Sequence, residues 1–286
     1  PEAHFVLKND LTFTASDFTA GGVYPKGWQT IDTFSGVLDG QGHAISNMQG
    51  TSGGFISVNS GTISGIRFIN HQLTGDASYF GPVVESNNGL ITKCYVNLNV
   101  TTLSGVGYAG GIAGSNSGTI SYCQIDGRMT VNGPGYNYCW IYAGGISSGG
   151  SGVVKSCYSK LYMSIISRQV TEYVYYGGIA QNGYVYDSRN DGTVYFGVYL
   201  DYDVYANAFS CGRSYNSYGD LTYSYNATDK IFYATLSGVG DRLNAILNQR
   251  SQDMLAANAW NVAQYAALVM MFAQVSGLEP GEFVHV

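Results

Sequence analysis

Four segments of this chain can be written one beneath another: GGFISVNSGTISGI (53–66), GPVVESNNGLITKC (81–94), GGIAGSNSGTISYC (110–123) and GGISSGGSGVVKSC (144–157). GGIAQNGYVYDS (177–188) repeats the pattern with a turn two residues shorter, and SYGDLTYS (217–224) keeps only its second half. The first five copies begin 28, 29, 34 and 33 residues apart. A period of this size constrains the fold more than any composition does. A unit so short cannot bury its own apolar face, so neighbouring units must stack and share one core.

Within each copy, period-two alternation and β-branched residues indicate short strands. Asn-Ser-Gly and Asn-Asn-Gly supply turn residues that tolerate left-handed backbone. Stacking in parallel would superimpose equivalent residues about 4.8 Å apart. The expected inward columns are Ile66, Cys94, Cys123, Cys157, Ser188 and Ser224, beside Ile63, Ile91, Ile120, Val154, Val185 and Leu221. Asn59, Asn87 and Asn116 would form an asparagine ladder at the turn. The fold class expected is all-β: a right-handed parallel β-helix, or solenoid, with a small, mainly helical C-terminal cap.

These copies resemble the GLUG-motif repeat of bacterial surface and secreted proteins. The lead-in FVLKNDLTFT (5–14), Trp28, Ile31 and FSGVLDGQGHAISNM (34–48) extends the resemblance, which covers roughly residues 5 to 225. It implies the right-handed parallel β-helix, an adhesin-like role and an extracellular location: secreted, on a cell surface or on a virion.

The expected organisation is a cap and lead-in over 1–50, stacked repeats over 51–235 and a capping or docking segment over 236–286. In the last part, Leu243, Ile246, Leu247, Met254 and Leu255 fall at helical spacing, followed by the apolar YAALVMMFAQV (265–275). If Met270, Met271 and Phe272 were exposed, docking would be favoured over capping.

Charged residues make up only 11% of the chain and the net charge is -6. With no Lys/Arg cluster along the sequence, these values argue against a nucleic-acid partner. No apolar run reaches the roughly 18 residues a membrane-spanning helix needs. Cys94, Cys123, Cys139, Cys157 and Cys211 form no CxxC, and the four histidines are scattered, so neither a metal site nor a cofactor is expected. Stacked cysteines would point their Cβ atoms the same way, which disfavours disulfides. The glycines of DGQGH (39–43) are explained by a tight turn rather than a calcium loop.

Tyrosine is unevenly distributed, with five in residues 1–135 and twenty in residues 136–286. Tyr79, Tyr108, Tyr142, Tyr175 and Tyr205 share one repeat position and should form a ladder. Alternation sends Tyr138, Trp140, Tyr142, Tyr173, Tyr175, Tyr199 and Tyr205 to one face, with Asp201 and Asp203 beside them. Such a ladder can be structural, because stacked rings strengthen neighbouring strands. Phenols also combine a flat apolar face with a hydrogen-bonding tip, which suits a sugar or a protein surface.

The expected function is therefore a non-catalytic extracellular module for adhesion or ligand binding, with carbohydrate as the ligand and those aromatic residues as the site. The expected partners are a glycan or a host or cell-surface protein, and copies of the chain joining through their end caps. Two alternatives stand beside it. Asp201 and Asp203, one pleat apart, approach the spacing of roughly 5–9.5 Å that glycoside hydrolysis requires, so they are the catalytic candidates of a carbohydrate-active enzyme or phage receptor-binding spike. A structural spacer or filament subunit is the other.

Overall fold

A computed structural model of the protein describes residues 3–74, 78–105, 107–133, 139–166 and 172–199, and beyond them the backbone of 204–207, 213–214, 220–226, 231–237, 242–247 and 279–285 with helical residues 267, 270 and 271. Two compact units are present, Pro1–Gly238 and Val239–Val286.

In the first unit, each repeat contributes one strand to each of several parallel sheets. Val37–Asp39, Thr62–Ser64, Leu90–Thr92, Thr119–Ser121, Val153–Lys155 and Tyr184–Tyr186 lie side by side, with Ile63, Ile91, Ile120, Val154 and Val185 in register. A second sheet takes Arg67–Leu73, Tyr95–Ser104, Gln124–Asn132, Tyr158–Ile166 and Thr193–Tyr199. Two five-stranded sheets complete the repeats, one carrying Ile56–Asn59, Val84–Asn87 and Ala113–Asn116, the other carrying the tyrosine ladder.

The Ile-x-x-Cys spacing has a backbone cause. In an unbroken strand, residues three apart face opposite sides. Here the residue before each cysteine position adopts left-handed backbone: Gly65 (φ 61°), Lys93 (53°), Tyr122 (52°), Ser156 (51°) and Asp187 (44°). That one residue turns the chain between sheets, so Ile91 and Cys94 are both buried, as are Ile120 and Cys123, and Val154 and Cys157. Each thiol donates across the corner to the carbonyl two residues earlier: Cys94 to Thr92 at 3.3 Å, Cys123 to Ser121 at 3.2 Å and Cys157 to Lys155 at 3.4 Å.

Glycine is required where the ladder sheet passes into the next. A Cβ on Gly110 would lie 1.9 Å from the carbonyl oxygen of Ala113, and one on Gly144 would lie 2.0 Å from that of Ser147. At the opposite turn, the Asn59 amide donates to Asn87 Oδ1 and the Asn87 amide to Asn116 Oδ1, both at 2.8 Å. All three asparagines are buried, and their amides satisfy one another along the stack.

The first strands rest on an aromatic cluster. Trp28 stacks on Phe55 with centroids 5.1 Å apart, its indole N–H donates to the Phe55 carbonyl, and Phe13 touches Phe18, Tyr24 and Trp28.

Three expectations are corrected. Leu221 and Ser224 do not extend the repeat columns. Val185 pairs with Ser214, whereas Leu221 and Ser224 pair antiparallel with Leu236 and Tyr233. The parallel order of the second sheet ends at Thr193–Tyr199, which pairs antiparallel with Ile231–Ser237. The C-terminal segment is not a mainly helical cap: Arg242–Leu247 is a strand paired in parallel with Glu279–His285, and the helical residues Ala267, Met270 and Met271 fall between them. The helical spacing of Leu243, Ile246 and Leu247 was misleading because three apolar residues in five also fit a short strand buried on both faces. The all-β, right-handed parallel β-helix with a helical cap is therefore not the fold of this chain, whose described residues form several stacked parallel sheets, two antiparallel pairings made by Ile231–Ser237 and a separate parallel pair of strands.

Candidate functional site

The aromatic ladder begins with strand register. Tyr79, Tyr108, Tyr142, Tyr175 and Tyr205 are paired across Tyr79–Phe80, Tyr108–Gly110, Cys139–Gly144, Glu172–Gly177 and Val204–Asn207. Parallel register gives equivalent side chains the same direction, so the rings lie nearly flat on one another. Centroids are 4.6 Å apart for Tyr79 and Tyr108, 4.7 Å for Tyr108 and Tyr142, and 5.1 Å for Tyr142 and Tyr175, with interplanar angles of 17°, 10° and 15°. Burial, and then the neighbouring phenols, raise the Tyr108 and Tyr142 hydroxyls above the usual tyrosine value.

The other aromatic candidates separate. Trp140 is paired with Tyr173 in the ladder sheet and is 48% exposed. Tyr199 ends Thr193–Tyr199, a strand of a different sheet, where it pairs with Ile231. Tyr138, Asp201 and Asp203 lie outside the described residues, and the backbones of Tyr173, Tyr199 and Tyr205 are described without their side chains. Among the described residues no group of three or more His, Cys, Asp or Glu is arranged to hold a metal ion.

A second constellation escaped sequence reasoning. The residue after each inward cysteine position faces outward, giving the column Arg67, Tyr95, Gln124, Tyr158 and Arg189. Tyr158 donates to Asp191 Oδ2 at 2.6 Å, and Arg189 Nε lies 2.9 and 3.0 Å from the two oxygens of the same carboxylate. Two repeats earlier, Tyr95 donates to Asp126 at 2.6 Å, and the Asn97 amide donates to that carboxylate too. Burial and then the adjacent Asp126 push the Tyr95 hydroxyl up to about 12, and burial with Asp191 raises that of Tyr158. A shallow pocket lined by Ser156, Cys157, Tyr158, Asp187 and Arg189 opens beside this group. The available signal was the position following Cys94 and Cys157, which is tyrosine both times, with an aspartate 31 and 33 residues further on.

Among the described residues, Cys94 and Cys123 offer no nucleophile. Cys94, Cys123 and Cys157 are buried and unbridged. Hydrogen bonding to Cys123 and burial raise the Cys94 thiol, and hydrogen bonding to Cys157 does most to raise Cys123. Both stay protonated, whereas nucleophilic attack requires the thiolate.

Comparison with known proteins turns attention to the other end of the chain. Residues 225–286 match the family model described as Thymidylate synthase. No solved structure matches the chain. The match covers less than a quarter of the sequence and begins after the last repeat copy. It replaces the resemblance to the GLUG-motif repeat, for which no family model matches. The reading as an extracellular module for adhesion or carbohydrate binding is withdrawn with it, as are the carbohydrate-active, spike, spacer and filament alternatives, since the family match points to nucleotide chemistry instead.

Proposed function

We propose that the chain acts in pyrimidine-nucleotide synthesis, and that its C-terminal part recognises a deoxynucleoside monophosphate of the thymidylate type. The observation that carries this reading is the family match over residues 225–286. The matched span contains two arginines, Arg242 and Arg250, and guanidinium groups suit bidentate contact with a phosphate. It contains no cysteine, so it supplies phosphate recognition rather than a thiol nucleophile.

Thermal unfolding of the full chain with thymidylate, deoxyuridylate or thymidine tests the reading. The two nucleotides are expected to raise Tm and thymidine, which lacks the phosphate, is not. Arg250→Gln is expected to remove the shift. No shift with either nucleotide at millimolar concentration would count against it.

A further inference from the structure

No Lys/Arg cluster lies along the sequence. Stacking makes one in space. Eight Lys and Arg side chains are described in the first unit, and six of them, Arg67, Lys93, Arg128, Lys155, Lys160 and Arg189, are exposed on one corner of the stack and the outer face of the sheet that follows it. The other two, Lys8 and Lys26, belong to the N-terminal segment. Counted by repeat, the six provide at least one cation in each of five successive repeats, so the charge runs as a line along the stack.

We propose that this face binds a single-stranded polynucleotide, its phosphates following the line of cations. Five carboxylates share the region: Asp10 and Asp39 at its lead-in end, and Asp126, Asp187 and Asp191 among the repeats. Asp126 accepts from the Tyr95 hydroxyl and the Asn97 amide, and Asp191 from the Tyr158 hydroxyl and Arg189. Among the repeats the six cations stand against three of these carboxylates, an excess of positive charge in a chain whose net charge is -6. Four of the cations are held over rings. Arg67 sits 6.0 Å from the Tyr95 ring centre and Arg128 5.0 Å from that of Tyr162. Lys160 and Arg189 lie 5.5 and 5.7 Å from that of Tyr158. Cations placed in this way lose less side-chain freedom when a ligand arrives. The choice of polynucleotide over another polyanion rests on the aromatic residues. Tyr122, 58% exposed on the corner, and Tyr162, 37% exposed on the sheet, offer ring faces on which bases can stack, and a carboxylate or sulfate polymer has no use for them. This inference is independent of the nucleotide-binding reading of residues 225–286.

Fluorescence anisotropy of a labelled oligodeoxythymidylate of about 20 nucleotides, titrated with the full chain between about 25 and 200 mM salt, provides the test. Affinity is expected to fall steeply with salt. The triple variant Lys93→Gln, Lys155→Gln, Lys160→Gln is expected to bind at least tenfold more weakly, with a log–log salt slope shallower by about 2, as for three lost phosphate contacts on a single strand. Tyr122→Ala is expected to weaken binding several-fold at unchanged slope. Circular dichroism and Tm confirm that each variant is folded. Absence of binding at the lowest salt would overturn the proposal, as would equal binding by the folded triple variant. Displacement by polyglutamate at matched charge as readily as by unlabelled oligonucleotide would show a surface for polyanions in general and would also overturn it.

Discussion

Between Ile56 and Tyr186 each described repeat strand has an equivalent strand one repeat away, and the two are paired in parallel. Beyond Ser214, the last residue paired in parallel with an earlier repeat, that correspondence stops among the described residues. Strands there pair antiparallel or, in Arg242–Leu247 and Glu279–His285, across an insertion of about thirty residues that has no relation to the repeat. In the first region a side chain is stabilised by copies of itself, as in the asparagine and tyrosine ladders. In the second, each contact is made once. A substitution in the repeats should therefore be felt by both neighbouring repeats, whereas one in the later strands should remain local.

The largest expected effect is at the glycine where one sheet turns into the next. Gly110→Val places a Cβ where the Ala113 carbonyl already lies, and the backbone of two repeats must move. A loss of more than about 4 kcal/mol in denaturant unfolding is expected. If the protein tolerated this valine, close stacking at that turn would be refuted.

Acidification comes next. His71 is buried beside Phe68, its Nε2 lies 3.0 Å from the Ile45 carbonyl, and burial lowers its pKa to about 4. The unfolded chain binds this proton near pH 6.5, so stability is full above that value and is lost as pH falls toward 4. The loss is on the order of 3 kcal/mol. His71→Gln should flatten that part of the stability–pH curve, and an unchanged curve would show that His71 is not buried in neutral form.

Asn87→Ala removes the middle of the ladder and strands the amide of Asn59 and the acceptor of Asn116. Hydrogen exchange should speed up in both adjacent turns, with about 2–3 kcal/mol lost. Tyr142→Ala breaks two stacked pairs and should cost about 2 kcal/mol, while Tyr142→Phe should be close to neutral. The smallest effect has the opposite sign. Ser156 holds φ at 51°, and Ser156→Gly should gain up to about 1 kcal/mol, measured by Tm, because glycine meets no steric penalty there.

The repeat columns were legible because a period can be counted: Ile63, Ile91 and Ile120 identify one another, and so do Cys94, Cys123 and Cys157. The cause of the three-residue spacing was not legible, since nothing in Thr-Lys-Cys or Ser-Tyr-Cys announces that Lys93 or Tyr122 adopts left-handed backbone. The C-terminal strands were misread for a related reason. Without a second copy for comparison, the apolar positions of Arg242–Leu247 fit a helix as well as a strand. The register of the tyrosine ladder is readable through Tyr205, but alternation across residues 200–203 places Tyr199 on the same face, whereas the backbone puts it on another sheet. The cation line was invisible because its members stand about thirty residues apart and become neighbours only after stacking.

Dipolar broadening between nitroxide labels is the most direct check on the central claim that residues one repeat apart are superimposed. Labels at Lys93→Cys and Ser156→Cys, two repeats apart on the same corner, should sit roughly 10 Å from each other along the backbone and broaden strongly. Moving the second label to Asp187→Cys should weaken the broadening by one further step. Equal, unbroadened spectra for the two pairs would contradict the stacked arrangement.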